Sequence, residues 1–221
     1  MTQRHFIQRH ILNVLMQQKY ARFRDLRPPR VDSNVFSYHL TAIKKEHLVK
    51  KEAEGYTLTI KGLAHVDLLS MEKTHVRQQP RIMTMILVRN EAQELIAYHK
   101  NHQPFIGQLT LPSGKLHLDD STIEFAAKRE LKEKTSIVVP ELTRLGDCYM
   151  AMYQDDEVVM NSLVHVFLAD VSRSDVTLEE GVSWYNLAEF TQAAPASRRV
   201  VEELYELERA TPFFREYREG M

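Results

Sequence analysis

The strongest constraint on the fold of this chain is a change of hydrophobic periodicity across residues 71–81. Before that segment, apolar residues recur at the three- and four-residue spacing of amphipathic helices, and after it they recur in short extended runs typical of strands. The segment itself has neither period and contains Pro80, as linkers often do. The sequence therefore predicts an α+β chain with two domains, residues 1–75 and residues 81–221.

Charge divides the chain at nearly the same place. Residues 1–80 hold 14 Lys and Arg against 7 Asp and Glu, a charge of +7, and the remaining residues carry a charge of −8. A basic half attracts polyanions such as nucleic acids, although a chance distribution of solvated side chains would give the same sums. We therefore expect the two domains to have different partners.

The cysteine content and the apolar runs exclude several classes of protein. Cys148 is the only cysteine, so the chain has no internal disulfide and no cysteine pair to bind zinc. Arg4 and Arg9 fall where a signal peptide needs its apolar run, and no apolar stretch reaches the ~18 residues of a membrane span. We expect a cytoplasmic protein with no membrane partner, in which Cys148 is a small buried apolar side chain.

Helical and strand patterns follow one another in the N-terminal domain. The apolar spacing predicts three helices, at residues 5–18, 20–27 and 33–47. A hairpin with strands at 48–51 and 56–60 and a fourth helix at 62–70 are predicted to follow. Pro28 and Pro29 end the second helix, and Gly55 supplies the turn of the hairpin. This order of elements resembles a winged helix-turn-helix domain, with its recognition helix at 33–47.

The predicted helix at residues 33–47 has two different faces. Phe36, Leu40 and Ile43 form an apolar face suited to a core. The resemblance implies duplex DNA as the partner of the other face, and a winged helix used for protein contact or dimerisation is the alternative. The candidate DNA-binding residues are side chains that can reach base edges or phosphates: Asn34, Ser37, Tyr38, Thr41, Lys44 and Lys45.

The C-terminal domain is predicted to begin with strands and to continue into a charged helix. Residues 82–88 and 94–99 are predicted to form a hairpin, and strong helix formers occupy residues 124–134. Glu130 and Glu133 are three residues apart, so both carboxylates project from one helix face. Such a pair can hold a divalent cation that bridges to phosphate oxygens.

The run LPSGKLHLDDSTIEFAAKRELKEKTSI, residues 111–137, resembles the signature of the Nudix family, G-x5-E-x7-R-E-U-x-E-E-x-G-U with U aliphatic. The resemblance implies an α/β/α sandwich with a mixed sheet, and Mg²⁺-dependent hydrolysis of nucleoside diphosphates linked to another group. On that basis the candidate catalytic residues are Glu130, Glu133 and Arg129. Gly114, in a predicted tight turn, joins Glu130 and Glu133 as a candidate metal ligand.

The run departs from that signature at four positions. Asp120 stands at the first glutamate of the signature, and Arg129 comes one residue late, which places one extra residue in the loop. Lys134 replaces the second of two consecutive glutamates, and Ser136 replaces the following glycine. Lys134 repels a magnesium ion unless its long side chain turns the ammonium group away.

The rest of the C-terminal domain contains further strands and a closing helix. The predicted elements are two strands, a strand entering a short helix, and an amphipathic helix, at residues 148–153, 158–170, 181–190 and 197–210. Phe213, Phe214 and Tyr217 are expected to pack on this domain or on a second subunit. Five further residues are secondary candidates for the ligand site: Tyr98, Phe105, Trp184, Glu179 and Glu180. The alternative is that the three aromatic residues belong to the core and the two glutamates to an exposed loop.

Two functions of different classes agree with these patterns. The first is a DNA-binding transcriptional regulator, expected to be a homodimer, whose Nudix-like domain binds a ligand of the nucleoside diphosphate type. The second is a magnesium-dependent pyrophosphohydrolase with an accessory winged helix. The change at Lys134 favours the regulator, whereas retention of Arg129, Glu130 and Glu133 favours the enzyme.

Overall fold

A computed structural model of the chain describes residues 4–69, 79–206 and 212–220. The chain divides into two compact units after residue 78, each with its own apolar core. The predicted linker at 71–81 and the end of the predicted helix at 197–210 lie largely outside the described residues. No helix in the described part is long and apolar enough to span a membrane.

The first unit contains the elements in the order that its periodicity predicts. They are three helices, an antiparallel hairpin and a fourth helix: α1 (Phe6–Gln17), α2 (Phe23–Leu26), α3 (Ser33–Lys45), β1 (Val49–Lys51), β2 (Tyr56–Leu58) and α4 (Ile60–Asp67). Ile11, Phe36 and Ile43 are fully buried where α1 packs against α3. Helix α4 begins two residues before its predicted start, because the Thr59 side chain caps it by accepting a hydrogen bond from the Gly62 amide.

Helix α2 is shorter than predicted because the chain before it is extended. Ala21 forms an antiparallel bridge with Tyr56, with two backbone hydrogen bonds of 3.0 and 2.9 Å. Gly55 makes this approach possible, since its φ is +144° and a Cβ atom there would lie 2.7 Å from the Ala21 carbonyl oxygen. The bridge therefore ties the segment before α2 to the hairpin.

The second unit is built on an eight-stranded mixed sheet. Its strands are β3 (Arg81–Arg89), β4 (Leu95–His99), β5 (Leu109–Thr110), β6 (Ser113–Lys115), β7 (Thr143–Gln154), β8 (Glu157–Asp170), β9 (Val182–Tyr185) and β10 (Phe213–Gly220). The main path has the order β10-β7-β8-β3-β4-β5, with β6 also paired to β3 and β9 to β4. Strand β3 runs parallel to β8, and β10 runs parallel to β7.

Helices cover both faces of this sheet. Helix α5 (Ile123–Thr135) packs on one face, where Ile86 and Val88 meet Leu131. Helix α6 (Pro195–Glu206) packs on the other face, where Leu87 is in the same buried cluster as Val200. Strand β3 therefore sends alternate side chains into two cores. The expected α+β fold with a mixed sheet between helical layers is confirmed.

Strand β10 is the longest strand for which the sequence shows no strand pattern. The segment was expected to pack on the domain or on a second subunit, and within the chain it pairs along β7 from Phe213 to Gly220. Charged residues interrupt the apolar alternation by which a strand is recognised in a sequence. One of them connects β10 to α6, because Glu219 accepts charged hydrogen bonds from Arg198 and Arg199 at 2.8 and 2.6 Å.

Replacement of Gly146 tests the pairing of β10. Gly146 lies opposite Phe213, and a Cβ atom at Gly146 would stand 2.3 Å from the Phe213 carbonyl oxygen. We expect Gly146→Ala to lower the free energy of unfolding by about 1–3 kcal/mol, because the backbone has to shift. Gly220→Ala is the matched control, since nothing lies within 4 Å of its added Cβ. Equal stability of the two variants in urea unfolding would contradict the pairing.

Candidate functional site

The charged helix α5 is positioned by caps at both of its ends. Thr122 precedes it and accepts a hydrogen bond from the Phe125 amide at 3.0 Å. Ser136 ends it in the left-handed conformation, with φ of 58°. This is the position at which the family signature has glycine, so the serine preserves the conformation that a glycine would adopt more easily.

Gly114 lies in strand β6, opposite Thr84 of β3, and not in the tight turn that was expected. The reason for a glycine here is a close approach from α5. A Cβ atom on Gly114 would stand 1.8 Å from the carboxyl carbon of Glu130. The Glu130 carboxylate therefore packs directly on the backbone of β6, and the Glu130 residue is 4% exposed.

Arg129 binds the carboxylates of the loop and the helix together. Its Nε and Nη2 atoms donate to the two oxygens of Asp120 at 2.8 Å each, which is the bidentate geometry expected of an orienting arginine. Its Nη1 atom donates to Glu130 at 2.8 Å and approaches Glu133 at 3.4 Å. A further bond of 3.1 Å joins Nη2 to the Lys115 carbonyl oxygen.

Asp120 occupies the glutamate position of the signature and serves as the main partner of Arg129. Hydrogen bonds from the Arg129 guanidinium, and one from the His117 amide, lower the pKa of Asp120 from 3.8 to about 2. The same pairing raises the pKa of Arg129. The one-residue offset between the signature and this chain is thus accommodated by the loop that carries Asp120.

A cavity of about 570 Å³ opens beside β6 and α5. Gly114, Glu130 and Glu133 line it, and so do the aromatic candidates Tyr98 and Phe105. Arg129 is not among its lining residues, but it contacts both of these glutamates. The other secondary candidates, Trp184, Glu179 and Glu180, do not line this cavity.

The inner wall of the cavity is apolar and rich in methionine. Methionine side chains are flexible and polarisable, and they make favourable contacts with aromatic rings. The methionines that line the cavity come from three neighbouring strands: Met83, Met85, Met150, Met152 and Met160. Burial raises the pKa of Tyr98 to about 12, with a contribution from the charge of Glu130, so the phenol stays protonated and can donate a hydrogen bond.

The site offers a magnesium ion two carboxylates, those of Glu130 and Glu133, together with an opposing positive charge. Magnesium is usually held in near-octahedral geometry by one or two carboxylates, waters and the phosphates of the substrate. Glu130 already accepts a hydrogen bond from Arg129, and Lys134 lines the same cavity. Over the described ranges 4–69, 79–206 and 212–220, no three His, Cys, Asp or Glu side chains come together in a way that could hold a metal ion.

The candidate DNA-binding residues lie on one side of α3. Asn34, Thr41, Lys44 and Lys45 are exposed, and Ser37 is half-buried. Tyr38 is 72% exposed, an unusual degree for an aromatic side chain. The opposite side of the helix is buried in the core of the first unit, so α3 presents a continuous polar surface to solvent.

Comparison with known proteins agrees with the fold of the second unit. The family model of the NUDIX domain matches residues 78–204, more than half of the chain. The chain belongs to the NUDIX domain family. A comparison with curated protein sequences gives no match.

Two solved structures are similar to this chain at low sequence identity. One is the NUDIX domain of Shewanella oneidensis NrtR in complex with ADP-ribose, with 20% identity, a TM-score of 0.50, and coverage of 59% of this chain and 89% of that chain. The other is the MutT protein from Bacillus halodurans, with 17% identity, a TM-score of 0.51, and coverage of 62% and 89% respectively. These similarities concern the fold.

The pairing of Asp120 with Arg129 predicts a pH dependence of stability. The pKa of Asp120 is lower in the folded chain than in the unfolded chain, so its stabilising effect is present above about pH 4 and is lost as the pH falls towards 2. We expect Asp120→Asn to reduce the free energy of unfolding at pH 6. The difference in this free energy between the variant and the unmodified chain should become smaller as the pH falls to 2.5. Urea unfolding across this range measures the difference.

Asp119→Asn is the control for this experiment, because Asp119 is an exposed neighbour in the same loop. If the difference in the free energy of unfolding between Asp120→Asn and the unmodified chain stays constant from pH 6 to pH 2.5, the Asp120 carboxylate is not held by Arg129.

Proposed function

We propose that the chain is a DNA-binding transcriptional regulator whose Nudix domain binds a ligand of the nucleoside diphosphate type. The observation that carries the proposal is the chemistry of the cavity. It offers an apolar wall and positive side chains to a ligand, while Arg129 donates a hydrogen bond of 2.8 Å to the Glu130 carboxylate and approaches that of Glu133 at 3.4 Å. Such a cavity is suited to binding an anion and poorly suited to holding a metal for hydrolysis.

The DNA-binding part of the proposal is supported by the first unit. Three helices followed by a two-stranded hairpin are the elements of a winged helix-turn-helix, in which the third helix enters the major groove. Asn34 can form a bidentate pair with adenine, and Lys45 can contact a phosphate. The charge of +7 on residues 1–80 has the sign that such a role needs.

The ligand part of the proposal is supported by the size and lining of the cavity. A volume of about 570 Å³ falls in the range of sites for small molecules, roughly 300–1,000 Å³. The methionine wall suits an aromatic base, and the positive side chains suit a diphosphate. ADP-ribose, which the NUDIX domain of Shewanella oneidensis NrtR binds, has both groups and is the natural first probe.

Regulation requires that the ligand and the DNA affect each other's binding. If ADP-ribose changes the affinity for DNA by some factor, DNA changes the affinity for ADP-ribose by the same factor. We further propose a homodimer, because two copies of α3 would read two half-sites about one helical turn apart on the duplex.

The alternative function is a hydrolase that cleaves phosphoanhydride bonds. Membership of the NUDIX family and the position of Glu130 and Glu133 on the cavity favour it. Lys134 in the same lining distinguishes the two functions, because it supplies positive charge where the family signature supplies a carboxylate. The regulator is therefore the better-supported proposal.

Substitutions on α3 test the DNA-binding proposal. We expect Lys45→Glu to weaken binding to all duplexes and to reduce the slope of log affinity against log salt by about 1, since a phosphate contact is lost. We expect Asn34→Ala to relax the preference at one base pair by ~1–3 kcal/mol. Fluorescence anisotropy with labelled duplexes of selected and scrambled sequence measures both effects.

Lys61→Glu is the matched control, since it makes the same charge change at an exposed position on α4 of the same unit. Unchanged DNA affinity in both α3 variants, with their folding verified by circular dichroism, would reject α3 as the DNA-binding element. If Lys61→Glu weakens DNA binding as much as Lys45→Glu does, the first unit attracts DNA through its charge alone and not through α3.

A further inference from the structure

Positive side chains outnumber negative ones around the cavity. Four Lys and Arg residues line it, against the two carboxylates of Glu130 and Glu133, which already contact Arg129. Within the described part of the chain, none of the four is in a salt bridge with a carboxylate. They come from β3, from β6, from α5 and from the residue after β4: Arg81, Lys115, Lys134 and Lys100.

Lys100 is affected by two of the other positive charges around the cavity. Arg81 contacts the sulfur of Met160 at 3.1 Å, and the Lys100 ammonium lies 5.8 Å from the centre of the Phe105 ring. Burial lowers the pKa of Lys100, and the charges of Lys134 and Arg81 lower it further. Like charges held together at the edge of an apolar cavity repel one another, and a bound anion relieves that repulsion.

A buried hydroxyl group in the same cavity has no hydrogen-bond partner in the described structure. Ser162 is 2% exposed, lines the cavity and pairs with Arg81 in the register of β3 and β8. An unpaired buried hydroxyl costs free energy, so a polar group of a ligand would be a favourable partner. Ser162 and the positive side chains thus indicate the same kind of occupant, an anion with hydrogen-bond acceptors.

We propose that the cavity binds the diphosphate group of its ligand directly through Lys100, Lys115, Lys134 and Arg81, without a divalent cation. The inference rests on the proposed nucleotide ligand and adds how its charge is neutralised. Where a Nudix site would use carboxylates and a metal to hold phosphate oxygens, Lys134 supplies the positive charge itself. An ammonium group needs no set of carboxylate ligands, which agrees with the hydrogen bond of 2.8 Å that Glu130 already accepts from Arg129.

Titration calorimetry with ADP-ribose and with inorganic pyrophosphate, in EDTA and in Mg²⁺, tests this inference on the full chain. We expect ADP-ribose to bind with Kd values that agree within roughly twofold in the two buffers, because no metal takes part. We expect a weaker affinity at higher salt, since charges near the surface are screened. If the Kd of pyrophosphate is comparable to that of ADP-ribose, the diphosphate group supplies most of the affinity. If ADP-ribose binds more tightly, its nucleoside also contributes.

Lys134→Glu provides the sharper test. It replaces an attraction with a repulsion, so we expect the Kd for ADP-ribose in EDTA to rise at least about tenfold, with partial recovery in Mg²⁺ as a third carboxylate becomes available. Lys132→Glu makes the same change at an exposed position of α5 that does not line the cavity, and we expect its Kd to change by less than about twofold. Both positions are exposed, so both variants should fold.

Ser162→Ala separates ligand binding from folding. Removal of an unpaired buried hydroxyl should leave the Tm unchanged or slightly higher, while the Kd for ADP-ribose rises by roughly threefold or more. A lower Tm with an unchanged Kd would assign Ser162 a structural role and overturn its place in the site.

Three outcomes would overturn the inference, and they separate it from the proposed function. Binding of ADP-ribose only in Mg²⁺, or an unchanged Kd for Lys134→Glu in EDTA, overturns the metal-independent site but leaves a ligand-binding regulator. Absence of binding by both probes in both buffers overturns the inference together with the nucleotide ligand. DNA binding is judged separately by the α3 variants, so its failure is distinguishable from each of these results.

Discussion

The hydrogen bonds of Arg129 are the constraint on which the site depends. Its guanidinium directs its donors to Asp120 in the loop, to Glu130 and Glu133 on α5, and to the backbone of β6. These bonds fix the helix against the strand, and Gly114 allows the Glu130 carboxylate to pack on that strand. Because planar guanidinium geometry matches a carboxylate at two points, a lysine in this position would not hold the same arrangement.

The same bonds determine the chemistry that the cavity can perform. Arg129 donates a hydrogen bond to Glu130, and Lys134 adds positive charge beside the two glutamates of the cavity. The Nudix framework is retained, and we propose that the charge of its ligand site favours an anion over a metal ion. A cavity that binds a nucleotide and does not consume it is what a regulator needs, and the polar face of α3 in the same chain supplies the proposed DNA contact.

Local patterns predicted most of the elements, and long-range pairing explains what they missed. The spacing of Phe36, Leu40 and Ile43 was sufficient to orient α3, because helical periodicity is a local property. The parallel pairing of β10 with β7 has no such local signal, and its charged side chains conceal the strand. Apart from Lys134, the polar groups that the further inference uses were not predicted for the same reason, because the pairing of β3 with β8 brings Arg81 beside Ser162, 81 residues later in the chain.

The fate of ADP-ribose in the presence of Mg²⁺ distinguishes a ligand-binding regulator from a hydrolase. The full chain would be incubated with ADP-ribose and with a panel of other nucleoside diphosphate derivatives, and phosphorus NMR would follow the phosphoanhydride bond. We predict that ADP-ribose binds and stays intact, with no cleavage above the uncatalysed rate. Release of AMP and ribose 5-phosphate in repeated turnovers, abolished by Glu133→Gln, would contradict it and establish the chain as a hydrolase.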